Sequence, residues 1–143
     1  MNVAAILKQK GRAVVTAGAH TTLMEVAEKL AEKRIGAIVI IATRGTVAGI
    51  VSERDIIRAL AAHGPDCLSQ PVSQAMTKQV VTCQETDTLD ELMAMMTERR
   101  FRHLPVVTDG ALVGIISIGD VVKHRLQEME RDSAAMRDYI LTA

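Results

Sequence analysis

Two stretches of the chain carry the same polar residues after the same apolar run. They are Gly49-Ile50-Val51-Ser52-Glu53-Arg54-Asp55 and Gly114-Ile115-Ile116-Ser117-Ile118-Gly119-Asp120, and both read Gly-apolar-apolar-Ser-x-x-Asp. A buried strand that runs into a serine, with a carboxylate three residues on, marks a helix start: Ser is the N-cap and Asp sits in the first turn. Such a start turns free backbone N–H groups and the positive end of a helix dipole towards the space before it, which suits an anion. A single copy is explained as well by a capping box with no ligand. Two copies in equivalent positions point instead to two binding half-sites.

The elements that must carry these residues also recur. Val14-Val15-Thr16 matches Val80-Val81-Thr82, and Thr22-Leu23 matches Thr88-Leu89, both at an offset of 66. Lys33-Arg34-Ile35 matches Arg99-Arg100-Phe101 in the same register, whereas Gly45, Gly49, Ser52 and Asp55 match Gly110, Gly114, Ser117 and Asp120 at an offset of 65. The lost residue falls between Thr43-Arg44-Gly45 and the tighter Thr108-Asp109-Gly110, and a turn absorbs a deletion that a strand register does not.

Within each copy a β-prone piece (Ala13–Thr16 or Val80–Thr82) leads to an amphipathic helix. In the first copy Leu23, Val26, Ala27 and Leu30 recur at helical spacing behind Thr21 or Thr22 as cap. Ala37–Ile41 is an apolar β-branched run with Val47–Val51 as its hairpin partner, and the helix opened by Ser52 should turn Ile56, Ile57 and Leu60 inward. The expectation is a mixed α/β chain of two β-α-β-β-α units packed through their sheets about a pseudo-twofold axis. An N-terminal helix over Met1–Lys10 and a long C-terminal helix flank them. In the latter Val122, Leu126, Met129, Met136 and Ile140 form a stripe, interrupted at Ser133, whose distal half should meet the N-terminal helix or a second subunit. The chain divides into residues 1–65 (N-terminal helix and first unit) and 66–143 (linker, second unit and C-terminal helix).

Composition excludes several function classes. The 17 basic and 17 acidic residues cancel, so no basic face for nucleic acid is expected. Phe101 and Tyr139 are the whole aromatic complement, too few for base-stacking platforms. No run approaches a membrane span, the start is too short and polar for a signal peptide, and Cys67 and Cys83 stand apart without a zinc or disulfide pattern. A cytoplasmic protein is expected. His20, His63 and His124 read as surface residues, the eight Met as core filler and Cys83 as packing.

The paired units, each closing with Gly-apolar-apolar-Ser-x-x-Asp, together with Ala75-Met76-Thr77 and Arg102-His103-Leu104-Pro105-Val106-Val107, resemble a tandem pair of cystathionine-β-synthase (CBS) motifs, a Bateman module. The resemblance spans roughly residues 3–127, and Ser52-Glu53-Arg54-Asp55 is similar to bacterial CBS-pair proteins of this length that stand alone. It implies an adenosine-containing ligand (AMP, ADP, ATP, NAD(H) or S-adenosylmethionine) in the cleft between the motifs, and pairing into flat homodimers.

On that basis Asp55 and Asp120 are the expected partners of ribose hydroxyls, with Ser52 and Ser117 donating to phosphate. Val14, Val15, Val80 and Val81, with Gly36-Ala37 and Phe101-Arg102, would wall the adenine. Arg102 and His103 would reach a phosphate, and Thr77-Lys78 would touch the ligand. Lys33-Arg34 and Arg99-Arg100 read as helix-end cations complementing the dipole. The two halves differ: Gly36-Ala37 stands where the second has Arg102-His103, and Arg54 precedes Asp55 where Gly119 precedes Asp120. Different ligands or affinities are therefore expected, a mononucleotide in one half and a larger dinucleotide in the other.

The leading function is a regulatory module that senses adenine-nucleotide or redox-cofactor status and signals to a partner protein. A small nucleotide-acting enzyme is the alternative, opposed by the lack of a GxxxxGK[ST] loop, metal-ligand cluster or nucleophile–base pairing. A DNA-associated or scaffolding protein is a third, opposed by the neutral charge.

Overall fold

The computed structural model describes residues 1–142. Helix α1 (Val3–Lys10) is followed by β1 (Thr16–Gly18), α2 (Leu23–Lys33), β2 (Ala37–Ile41), β3 (Val47–Ser52) and α3 (Glu53–His63). Two short 3-10 turns, Pro65–Ser69 and Val72–Gln74, lead to α4 (Leu89–Arg99), β4 (His103–Thr108), β5 (Ala111–Ser117) and α5 (Ile118–Thr142). The fold is mixed α/β. In the first sheet β2 runs parallel to β1 and antiparallel to β3; the second sheet is the β4–β5 hairpin.

The helices begin where local chemistry dictates. Thr22 caps α2 and Glu25 returns the bond in a full capping box, while Thr88 accepts from the Glu91 N–H at the start of α4. Both helices end in a left-handed residue, Arg34 (φ 55°) and Arg100 (φ 59°), which turns the chain sharply into β2 and β4.

Several expectations are corrected. The first strand starts at Thr16, so Val14 and Val15 lie ahead of it; Val80–Thr82 forms no strand, and a single parallel bridge, Cys83 to Val106, marks its place. Val15 and Val81 instead pack against the cores, because a valine in an extended segment beside a hydrophobic cluster gains more by burial than by facing a cleft. The units do not share one core through their sheets. Each has its own, one around Leu23, Val26, Ile38 and Ile40 and the other around Leu92, Leu104, Val106 and Ile116.

What joins the units is an exchange of arms. Val3, Ile6 and Leu7 of α1 are buried in the second core, and the 65–76 segment packs Cys67 and Val72 into the first. Backbone bonds repeat the exchange: Val3 N–H donates to the Asp87 carbonyl (2.9 Å), and Val72 N–H to that of Thr21 (2.7 Å). Along the chain α3 closes the first repeat at His63, and in space each arm lies on the other repeat.

The repeated glycines exist for these crossings. A Cβ on Gly114 would lie 2.7 Å from Leu7 Cδ2, and one on Gly49 would lie 2.9 Å from the Thr77 carbonyl oxygen.

Helix faces bring two further corrections. Ile57 is 64% exposed rather than inward, since Ile56 takes the core side of α3. His124 is buried, not superficial, because Val121 and His124 form the inner face of α5. Helix α5 runs unbroken through Ser133, and its apolar stripe from Val122 to Ile140 stays exposed, since α1 is committed to the second core.

Candidate functional site

Strand β3 delivers Ser52 to the N-terminus of α3 through its pairing with β2, which sets Ala37 opposite Ser52. The Glu53 N–H donates to the Gly36 carbonyl at 3.1 Å and fixes the first turn. The second half copies this: His103 lies opposite Ser117, and the Ile118 N–H donates to the Arg102 carbonyl at 2.8 Å.

Both Ser-x-x-Asp pairs form capping boxes. The Ser52 N–H donates to Asp55 Oδ2 at 2.8 Å, Ser52 Oγ donates to the same oxygen at 3.1 Å, and the Asp55 N–H donates back to Ser52 Oγ at 3.4 Å. The corresponding distances at Ser117 and Asp120 are 2.8, 2.9 and 3.2 Å. Each carboxylate therefore spends Oδ2 on its own helix, and Oδ1 is the oxygen left for a ligand.

In front of α3 lies a cleft of about 260 Å³. It gathers Gly36, Ala37, Ser52, Arg54, Asp55, Thr77, Phe101, Arg102 and His103 from the sequence expectation. Ile50, Glu53, Arg58 and Arg100 complete the lining. A neighbouring hollow of about 340 Å³ on the far side of Asp55 and Arg58 shares those two side chains. The remaining expected residues lie elsewhere. Lys78 is exposed, Val15, Val80 and Val81 lie off the cleft wall, and Ser117, Gly119 and Asp120 form the second helix start.

Charge in the cleft is asymmetric. Arg54, Arg58, Arg100 and Arg102 face Glu53 and Asp55, so fixed cations outnumber anions before the helix dipole is added. Arg58 was not singled out in the sequence, although its position one turn after Arg54 is the signal that could have found it. Arg100 was read as a helix-end cation, and its left-handed backbone instead turns it into the cleft.

His103 crosses between the halves. Its ring lies 3.4 Å from where a Cβ of Gly36 would stand, an ordinary van der Waals distance. Burial and the charge of Lys10 hold the imidazole below its ordinary pKa of 6.5, against the opposing pull of Asp120 and Glu53, with Arg102 adding to the lowering. It is thus neutral at pH 7. At the second helix start, burial alone would raise the Asp120 carboxyl. Hydrogen bonds from Lys10 and Ser117 and the charge of Lys10 outweigh it and hold the group below the usual carboxylate value. Cys83 is pushed up to about 12 by burial and by Asp87, so its thiol is inert packing.

The arrangement is one found in a known family. The CBS domain model matches residues 10–62 and again 72–127. The chain belongs to the CBS domain family. It is similar to the CBS-domain containing protein ATU1752 of Agrobacterium tumefaciens, with 50% identity and a TM-score of 0.85 over 87% of this chain and 99% of that one. It is also similar to the CBS domain protein PAE2072 of Pyrobaculum aerophilum complexed with AMP (32% identity, TM-score 0.75, 84% and 89% covered). The CBS domain pair of protein MJ0100, in complex with 5′-methylthioadenosine and S-adenosyl-L-methionine, matches at 26% identity and a TM-score of 0.80, with 90% and 98% covered. The ligands those CBS proteins hold share adenosine. Among the described residues of this chain, no helix is long and apolar enough to cross a membrane.

Proposed function

We propose that this CBS pair is a regulatory module whose ligand is an adenosine-containing nucleotide or cofactor, bound in the cleft before α3. The observation that carries the reading is the convergence in one cleft of Asp55, whose cap uses Oδ2 and leaves Oδ1 without a partner among the described residues, with four arginines and a helix N-terminus. Asp55 Oδ1 accepts from a ribose hydroxyl, and Ala37, Ile50 and Phe101 give the base apolar contact. Arg54, Arg58, Arg100 and Arg102 hold phosphate, supported by the N–H groups of the first turn. This favours AMP, ADP, ATP or NAD(H) over a ligand without phosphate, although relatives holding AMP and S-adenosyl-L-methionine keep the wider adenosyl class in the comparison.

Binding would draw the β2–α3 wall of one repeat and the Arg100–His103 wall of the other together, and a partner protein reads that closure. The chain acts as a sensor rather than an enzyme and has no nucleic-acid or membrane role. Its two free, buried cysteines suit a reducing cytoplasm. It works as a homodimer: Ile57 and Val122 occupy equivalent positions on α3 and α5, and both are more than half exposed. Two such apolar positions related by the pseudo-twofold axis are what a self-complementary interface needs.

A thermal-shift panel of AMP, ADP, ATP, NAD, NADH, S-adenosylmethionine and GMP tests the reading. A cognate ligand at a hundred times its Kd stabilises by about 2.7 kcal/mol, and the shift should vanish in Asp55→Ala. No shift with any adenosyl compound rejects it.

A further inference from the structure

The two helix starts differ in one contact that comparing the repeats isolates. In the first half the Ile50 carbonyl accepts from the Thr77 backbone N–H at 2.9 Å. In the second half the equivalent carbonyl, Ile115, accepts instead from the Lys10 ammonium at 2.8 Å. The same ammonium donates to Asp120 Oδ2 at 2.6 Å. No lysine or arginine makes such a contact with Asp55 among the described residues.

Lys10 is not a loose end. It closes α1, whose Val3, Ile6 and Leu7 are fixed in the second core, so its backbone is already placed and only the side chain remains to be ordered. The Asp120 carboxylate is the counterpart of the group assigned to ribose, yet it already holds a charge-assisted hydrogen bond. A ribose hydroxyl reaching Oδ1 would meet a carboxylate whose charge the ammonium already offsets, so it gains less there than at Asp55.

We propose that Lys10 is an intramolecular plug: bonded to Asp120 Oδ2 and the Ile115 carbonyl, its ammonium offsets the carboxylate's charge, weakens Oδ1 as an acceptor for a ribose hydroxyl and keeps a nucleotide out. The chain then carries one open site, at Asp55, and one latent site, at Asp120. Only the ligand class in this inference rests on the reading of the Asp55 cleft. The plug itself rests on the Lys10 contacts.

Isothermal titration of the full chain with AMP decides it. Wild type binds one AMP per chain, and Asp55→Ala abolishes that event. Lys10→Met, which keeps the aliphatic stem without the charge, binds two, the second roughly tenfold or more tighter than any residual second event in wild type. Adding Asp120→Ala removes that second event, and Lys10→Arg, which keeps a cation, stays at one. A thermal melt checks that each variant folds. A carbon-13 titration of the Asp120 carboxyl, which needs no ligand, should move up in Lys10→Met.

Two AMP per wild-type chain, or the same number in wild type and Lys10→Met, overturns the plug, as does an Asp120 carboxyl that titrates identically in both proteins. If wild type binds none but Lys10→Met binds one through Asp120, the plug stands and the Asp55 reading falls. If neither binds, both fall.

Discussion

Gly49→Ala perturbs the point where the arm between the repeats crosses strand β3. The added Cβ would stand 2.6 Å from Met76 Sδ and 2.9 Å from both Met76 Cγ and the Thr77 carbonyl oxygen. Met76 can change rotamer. Thr77 cannot retreat cheaply, because it exchanges two backbone hydrogen bonds with Ile50, at 3.1 and 2.9 Å. Either the strand and arm separate by several tenths of an ångström or one of those bonds weakens. Overpacking of this kind costs about 1–3 kcal/mol, and a weakened backbone bond adds up to about 1 kcal/mol. A loss of about 2 kcal/mol corresponds to a fall in Tm of about 4–8 °C for a chain of this size.

Gly114→Ala is the internal control. Its Cβ meets the Leu7 side chain, with Cδ2 at 2.7 Å and Cδ1 at 3.0 Å, and no backbone atom is among its nearest neighbours. Its cost should be smaller, about 1 kcal/mol. Thr77 also lines the cleft, so Gly49→Ala should weaken AMP binding, whereas Gly114→Ala should not. Urea denaturation of both variants, with AMP titration, measures each quantity. The reasoning is refuted if Gly49→Ala lies within about 0.5 kcal/mol of wild type, or if Gly114→Ala costs more.

Two further outcomes follow from the same geometry. His103 is held below its ordinary pKa, so protonation favours the unfolded chain; its contribution to stability is full above pH 6.5 and is lost as pH falls through the lowered value. His103→Gln should flatten that acid-side loss, and NMR should place the ring's midpoint below 6.5 in the free protein, rising when AMP brings a phosphate near; a midpoint at or above 6.5 without ligand contradicts it. Glutamate at both Ile57 and Val122 should convert a dimer to monomer by light scattering, and an unchanged mass rejects the α3–α5 interface.

The strands and helices of the first repeat were legible because pattern and burial coincide there. Ala37–Ile41 is apolar throughout and is a buried strand to the residue, and Thr22 and Glu25 announce a capping box that forms. Val80–Thr82 failed for a physical reason. β-propensity says that a residue fits a pleated surface, not that a partner strand is available, and here one bridge at Cys83 is all that forms.

Periodicity also assigned Ile57 to the core from a helix turn that holds Ile56 and Ile57 side by side; Ile56 faces the core, and Ile57, about 100° further round α3, does not. The arm exchange was invisible. It depends on contacts such as Leu7 with Gly114 and Lys10 with Asp120, more than a hundred residues apart, which no local pattern encodes. For the site, the duplicated Ser-x-x-Asp pointed to the helix start that borders the cleft, but Arg58 and Arg100 needed the fold to bring them in, and the use of Oδ2 by each capping box is a matter of local geometry.

The most direct measurement is the calorimetric titration of AMP into wild type and Asp55→Ala side by side. The account predicts saturable binding by wild type and its loss in Asp55→Ala, with thermal stability in the absence of ligand lowered by no more than a lost cap, about 0.5–2 kcal/mol. Undiminished binding by a folded Asp55→Ala, or no binding by wild type, would contradict it.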